Sequence, residues 1–503
     1  MKKIYPKEWM PLHPYKHPDS VDHYYVRIAN LVYEELAASA LGEAFPSDGD
    51  LRYTSLCLAA WFEDIISQTG IWEAFTAECK KRYGACLPFY PIGEDYFTDE
   101  VNLEDVRFLL WHHIQCLRPD TIINPENPGI EEAAMCIYEL LSEEYETAPE
   151  NERMKQYLHQ FTLKADDFLS YRELLEWFHY KCFFNIKNLK GVMEQMDDLL
   201  EQEDGNIPEE QLSIFLYSIR TESVFCGRLS PLSLTAPEWI ERICKNHPQH
   251  DWLAQVKGRE HSCYLLEKED EDFLYVKDLC RNNENLRITK LSLNMAQVRD
   301  LKPGASLLLC SLVFYAGAWW QNGALIVNEY KGKMKDMVKE RKDEIEKSHE
   351  KEAFKYFMKA SGGKHFVFLR TTEELYDFFT RKMEYNISEG LKLPEVKAPG
   401  MVLMASPLTG LHMQDDMVKC IKSPDSPFYD KAEAEEDAIS FMANPDAVTY
   451  ELSCLMQDQG MLADARLNSL KGPEYGCRFV QANAHFLTDY YFNRCREKDL
   501  TTE

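Results

Sequence analysis

The chain has 503 residues and a mass of 58.7 kDa, long enough for about three domains with sizeable cores, which excludes a small stapled scaffold. Its 56 Lys and Arg against 84 Asp and Glu leave a formal charge of −28, so most of its surface repels nucleic-acid phosphates and anionic lipid heads. With 45% apolar residues it has the composition of a folded protein, not a disordered one.

The N-terminus reads MKKIYPKEWMPLHPYKHPD, in which Pro6, Pro11, Pro14 and Pro18 occupy the place of the apolar run that export requires. Fifteen cysteines, an odd number, are scattered singly from Cys57 to Cys495 with no CxxC, which fits reduced thiols in a cytoplasmic protein. Helical spacing then dominates. Ser20 stands where it can cap a helix through Tyr25, Ile28, Val32 and Leu36, and Asn102 where it can cap one through Val106, Leu109 and Leu110. Further apolar stripes run through Ile130, Ala133, Ile137 and Leu140, and from Phe168 to Cys182. These predict a helical domain over 1–255, joined by Pro-bearing loops.

From about His261 the period changes. The runs CYLLEKED, DFLYVKDLC, LRITKLSL, SLLLCSLVFY and GALIV, separated by short polar turns, predict a small antiparallel, barrel-like module over 256–330. Gly304 to Asn328 carries no charge and has the apolarity of a membrane span, but Asn322-Gly323 is a hairpin signal, so the segment reads as a buried hairpin with its turn there. The remaining residues, 331–503, read as a charged helix from about Lys333 to Lys359 and a mixed α/β part. That part holds strands at His365–Leu369 and Met401–Ala405 and a helix capped by Thr371 and Glu374. Later helices are expected from about Asp415, around Tyr450–Leu462, and through Phe486 and Tyr490. The fold class is therefore α+β, mostly helical.

Four segments, KIYPKEWMPLHPY, Asp99–Asp105, Gly317–Gly323 and Ala405–Gly410, together resemble a family of uncharacterised bacterial proteins defined only as a domain of unknown function. The resemblance covers most of the chain and implies no activity, ligand or catalytic residue.

Phosphate-loop, dinucleotide, zinc-protease, nucleophile-elbow and calcium-loop motifs are all absent. The residue types of a zinc site occur in Cys244, His247, His250, His261 and Cys263, but Pro248 and an unfamiliar spacing leave the competing reading of loop and packing residues open. His112-His113 reads as a helix face packed against the core, because adjacent helical residues diverge by about 100°. The acid pairs Glu63-Asp64, Asp166-Asp167, Asp197-Asp198 and Asp415-Asp416 read as solvated helix faces or helix N-termini. Ser361-Gly362-Gly363-Lys364 follows a helix and opens a strand, the order of a helix C-terminal turn and the reverse of a phosphate loop. Ser406, His412 and Asp415 have triad residue types, but Pro407 removes the backbone N–H that an oxyanion hole needs.

One basic exception remains. Residues 331–359 hold ten Lys and Arg against seven Asp and Glu, next to Trp319 and Trp320. Trp319, Trp320, Lys339, Arg341 and Lys342 are thus candidate ligand or nucleic-acid contacts, against the alternative of a solvated helix and two packed indoles. With no catalytic constellation standing out, the leading reading is a non-catalytic binding or scaffold protein with a protein partner and no membrane contact. The alternatives are a metal-dependent or cryptic hydrolase, with zinc as its cofactor, and a nucleic-acid-associated protein using residues 319–359.

Overall fold

Apolar residues at helical spacing become helices over the first half of the chain in the computed structural model, which describes residues 3–119, 121–185, 209–384, 393–465, 467–469 and 471–500. Tyr25, Ile28, Val32 and Leu36 form the buried stripe of the Ser20–Ala38 helix. Its cap is Asp19, whose carboxylate accepts from the Val21 and Asp22 N–H groups, while Ser20 is the first helical residue. A carboxylate in the cap position answers both the free N–H groups and the positive end of the helix dipole. The Asp48–Ser67 helix packs against it and carries, among the described residues, the longest buried run, Thr54 to Ile65. The helices Leu103–Leu117, Pro128–Glu144, Glu152–His159 and Phe168–Lys181 follow. Contacts divide the chain into two compact units, Met1–Arg341 and Lys342–Glu503.

Within the first unit, five strands pair in a cycle: β1 (Lys257–Glu269), β2 (Phe273–Asp278), β3 (Asn285–Thr289), β4 (Ser306–Tyr315) and β5 (Ala318–Glu329). The order is β1-β2-β3-β5-β4 and back to β1, so β5 inserts between β3 and β4. All pairings are antiparallel except β3 with β5, a single parallel pair between Ile288 and Trp319 that makes the last link. Alternation decides the inside: Leu274 and Val276 of β2, and Leu286 and Ile288 of β3, join Leu308, Cys310, Leu312 and Trp319 in one core. The apolar run over 304–328 thus forms two barrel strands, whose alternate residues Leu308, Cys310, Leu312 and Trp319 point inward, and among the described residues no helix is long and apolar enough to cross a membrane.

The predicted hairpin forms, but its turn is six residues earlier than Asn322-Gly323. Ala316 and Gly317, at φ of 50° and 80°, make the two-residue turn between β4 and β5. Asn322 and Gly323 lie inside β5 opposite a shift in register, with Gly323 at φ 73°. The Glu209–Cys226 helix holds them there. Asn322 Nδ2 donates to the Thr221 carbonyl at 2.9 Å, and a Cβ on Gly323 would lie 2.6 Å from Thr221 Oγ1. Gly323→Ala is therefore expected to cost about 1–3 kcal/mol in a denaturant melt, from the left-handed backbone and the displaced helix together. Gly317→Ala, with open space around its Cβ, loses only the backbone part.

In the second unit, β6 (Phe366–Leu369), β7 (Met401–Ser406) and β8 (Gly410–Gln414) form an antiparallel sheet with β7 central. Every residue of β7 is buried, and alternate ones serve different cores: Val402 and Met404 join Leu452 and Phe441, while Met401, Leu403 and Ala405 join Phe357 and Phe378. Two expectations fail here. Residues after Asp415 do not open a helix: a hairpin through Gly410 (φ 77°) precedes them, and the next α-helix starts at Lys431. The charged helix is two, Lys333–Glu346 and Ser348–Ala360, broken at Lys347 with φ 43°. The Ser361–Lys364 turn is a helix C-terminal turn, with Gly362 and Gly363 both left-handed and Gly363 N–H donating to the Met358 carbonyl at 2.8 Å.

Candidate functional site

The N-terminal segment KIYPKEWMPLHPY lies against the first long helices and puts polar side chains into their core. His13 and Glu63 are both buried, Glu63 only 3% exposed, with His13 Nε2 2.7 Å from Glu63 Oε2. His13 Nδ1 faces the Trp9 carbonyl at 3.2 Å. A carbonyl only accepts, so Nδ1 carries a proton, and a second proton must lie between Nε2 and the carboxylate. Burial, the largest single influence, pushes the His13 pKa down, but the Glu63 carboxylate facing it, with Asp22 and the Trp9 carbonyl, pushes it up, and the net shift is upward. The upward shift favours an imidazolium facing Glu63.

Asn151 continues the network. Its Nδ2 donates to Glu63 Oε1 at 2.7 Å and to Tyr15 Oη at 2.6 Å, while its Oδ1 caps the Glu152–His159 helix through Met154 N–H. Tyr15 donates onward to Asp22 Oδ1 at 3.1 Å, which also receives Trp9 Nε1 at 3.0 Å. Arg153 lies 3.5 Å over the Tyr15 ring and pairs with Asp19 and Asp22. Two carboxylates in the core, Asp22 and Glu63, are thus balanced by His13 and Arg153. The same His13, Asp22 and Glu63 are, among the described residues, a group whose donor atoms come within 4.8 Å of one another, the spacing at which a cation could be held. As built, each donor is already engaged by a proton of its neighbours.

Tyr15 and Arg153 are also the inner wall of a cavity of about 550 Å³. Its other walls come from the Glu152–His159 helix, the 160–167 loop, the Phe168–Lys181 helix and Tyr315 of β4. Tyr157, Phe161, Tyr171 and Tyr315 make it aromatic, with Tyr171 stacked on Tyr315 at 5.7 Å between ring centres. Tyr315 Oη donates to the Lys164 carbonyl at 2.7 Å, while the Tyr171 hydroxyl is buried with no hydrogen-bond partner among the described residues. Asp167 and Glu173 add two carboxylates to the lining.

The structure does not bring the five predicted zinc donors together. Cys244 Sγ donates to the Leu158 carbonyl at 3.0 Å and His247 lies 2.8 Å from the Phe161 carbonyl. Gln249 N–H donates to His247 Nδ1 at 3.1 Å, so Nε2 carries the proton and donates to Phe161. Both residues pin the 158–163 backbone that lines the cavity. His250 pairs with Glu241 at 3.2 Å. His261 N–H donates to Glu222 at 2.5 Å, and burial, then Arg341 and Arg281, hold the His261 imidazole down at about 4. Cys263 is buried in β1.

Of the predicted contacts in and beside the barrel, Trp319 (9% exposed) lies in the barrel core and Trp320 (4%) packs against Phe168 and Tyr315. Arg341 donates to the His261 carbonyl at 3.2 Å, Lys342 pairs with Glu346 within its own helix, and Lys339 is exposed. His112 and His113 are buried, as a packed helix face requires, with His113 held neutral by burial and then by His112. Ser406 Oγ accepts from the Leu408 and Thr409 N–H groups and His412 binds Thr409, so no triad assembles.

Among the acid pairs, Asp167 caps a helix and Asp415 meets Lys397, while Asp197-Asp198 lies outside the described residues. Glu63-Asp64 is not solvated. Asp64 is buried against the start of the Ile71–Tyr83 helix, where it accepts from the Ile71 and Trp72 N–H groups. Burial pushes its pKa up to about 6 against these bonds. Sequence reasoning missed His13, Tyr15, Asp22, Glu63 and Asn151 as a set. The available signal was the odd density of Trp, His and Tyr in a proline-rich opening segment.

A family model described as Protein of unknown function (DUF3843) matches residues 3–290 and 315–493. No curated protein and no solved structure matches the chain.

Proposed function

The chain belongs to this family of unknown function, DUF3843, and from its own residues we propose a non-catalytic protein that binds a small organic ligand in the Tyr15–Tyr315 cavity. The observation that carries this reading is an aromatic cavity whose inner wall is held rigid by a charge-balanced buried network. Rigid walls limit the ordering cost of binding, and every acid and base of the network is engaged in holding Tyr15 and Arg153 rather than facing a reactant. The lining also suggests the ligand's charge. Arg153 is neutralised by Asp19 and Asp22, and among the described residues no basic side chain pairs with Asp167 or Glu173, in a chain of −28. An aromatic body carrying an ammonium group suits these walls, since rings and carboxylates both attract cations. Fifteen cysteines in no disulfide, most of them buried, support a reducing, cytoplasmic setting.

The test is titration calorimetry of the full chain with 2-phenylethylamine and with its uncharged analogue 2-phenylethanol. The amine is expected to bind saturably and at least about tenfold more tightly, with Glu173→Gln weakening it several-fold. Equal binding of the alcohol would remove the charge argument. Absence of saturable binding by both would remove the cavity as the functional site.

A further inference from the structure

The barrel carries a second surface, remote in kind from the aromatic cavity. Its strand order, with the fifth strand inserted between third and fourth and parallel to the third, is the Greek-key arrangement of the OB-fold, in which the face of strands two and three is a frequent binding surface. Here that face has a definite chemistry. Phe273 and Tyr275 alternate outward along β2, half-buried, with Tyr275 directly opposite Arg287 of β3. Arg287 lies 4.9 Å over the Phe273 ring and Lys268 of β1 lies 4.5 Å over the Tyr275 ring. Lys277 continues the row. Arg287 also donates to the Gly317 carbonyl at 2.8 Å, which fastens the β4–β5 turn beside the face and closes one side of a cavity of about 540 Å³.

We propose that this face binds single-stranded nucleic acid, with Phe273 and Tyr275 as stacking platforms and Lys268, Lys277 and Arg287 as phosphate contacts. Rings flanked by cations suit bases joined by phosphates, because every base offers a face to stack and every linkage a charge to meet. The global charge does not forbid it. Residues 257–330 hold nine basic and ten acidic side chains, so the barrel is near neutral and nearly all of the −28 lies elsewhere. Acids share the face: Glu269, Asp270, Glu271 and Asp272 crowd the β1–β2 turn, where Asp270 accepts from the Tyr275 hydroxyl at 2.8 Å, and Glu267 and Glu284 line the cavity beside Arg287. The turn acids disfavour phosphates at that end and leave the Lys277 and Arg287 side, so the site is short, and with only three phosphate contacts its binding falls with salt less steeply than that of a long site. The platforms are not Trp319 and Trp320, which are buried, and the charged 333–360 helices are not needed.

The experiment is fluorescence anisotropy of the full chain with a labelled oligothymidylate of about twelve nucleotides, at low and raised salt, with a duplex of equal length as comparison. Saturable binding to the single strand, weakened by salt and at least about tenfold weaker in Tyr275→Ala and in Arg287→Glu, is the expected result. Lys339→Glu with Lys342→Glu leaves it unchanged. Lys277→Glu, at an outward position whose loss leaves the core intact, gives the same weakening should Tyr275→Ala unfold the barrel. No saturable binding at low salt, equal binding of duplex, or affinity lost only in the Lys339 and Lys342 variant would each overturn the proposal. Neither result bears on the aromatic cavity, whose probes and variants are different.

Discussion

With His13 replaced by alanine, the protein is expected to lose about 3–5 kcal/mol of stability, because Glu63 is then a buried carboxylate without its counter-ion. Asn151 still donates to its other oxygen, but a neutral amide does not offset the charge. His13→Ala combined with Glu63→Gln should therefore cost less than the two single changes added, since the second removes the orphaned charge that the first creates. The pH dependence has a definite sign. The folded pKa of His13 lies above its ordinary value, so the folded chain holds this proton more tightly than the unfolded one. Its contribution is complete below the unfolded value near 6.5 and is lost as pH rises through the folded value. Denaturant midpoints from pH 6 to 9 should fall more steeply in the native protein than in His13→Gln, and parallel profiles would refute the ion pair. The comparison matters because buried Asp64 and Asp105, raised to about 6 and about 7 mainly by burial, act in the same direction in both proteins.

Trp319→Ala is expected to cost a similar amount, about 3–5 kcal/mol, through the cavity left by an indole in a small core. Two local circumstances set it at the high end. Trp319 belongs to the one residue pair that joins β3 to β5, so the void opens where the barrel has the fewest hydrogen bonds to hold it together. Its ring also lies under Lys257 and Arg259, at 5.8 and 5.6 Å, and the guanidinium in turn pairs with buried Asp278 at 2.9 Å. Trp319→Phe keeps most of the packing and should recover more than half of the loss. Circular dichroism against denaturant checks both, and a loss below about 1 kcal/mol would mean that the indole does not fill the core as described.

Much of the fold was legible because its causes are local. The stripe Tyr25, Ile28, Val32 and Leu36, the change of period near His261, the five barrel runs and the Gly362-Gly363 turn each follow from neighbours within a few residues. The hairpin turn shows where local causes end. Asn322-Gly323 has the better turn chemistry, yet Ala316-Gly317 makes the turn, because the Glu209–Cys226 helix, about a hundred residues earlier, takes the Asn322 amide and the space beside Gly323. Cys244 and His247 had the donor types of a metal site and proved to hold a loop, a distinction that depends on which backbone carbonyl lies opposite.

By itself, then, the sequence determined a mostly helical α+β protein with a small barrel, since helix and strand periods and turn residues act over short stretches of chain. It also marked the proline-rich opening segment. Only the tertiary structure decided what that segment does: His13 meets Glu63 across 50 residues and Asn151 meets Glu63 across 88. A carboxylate on a helix has the same local pattern whether it faces water or an imidazolium, and what separates the two cases is the element packed over it.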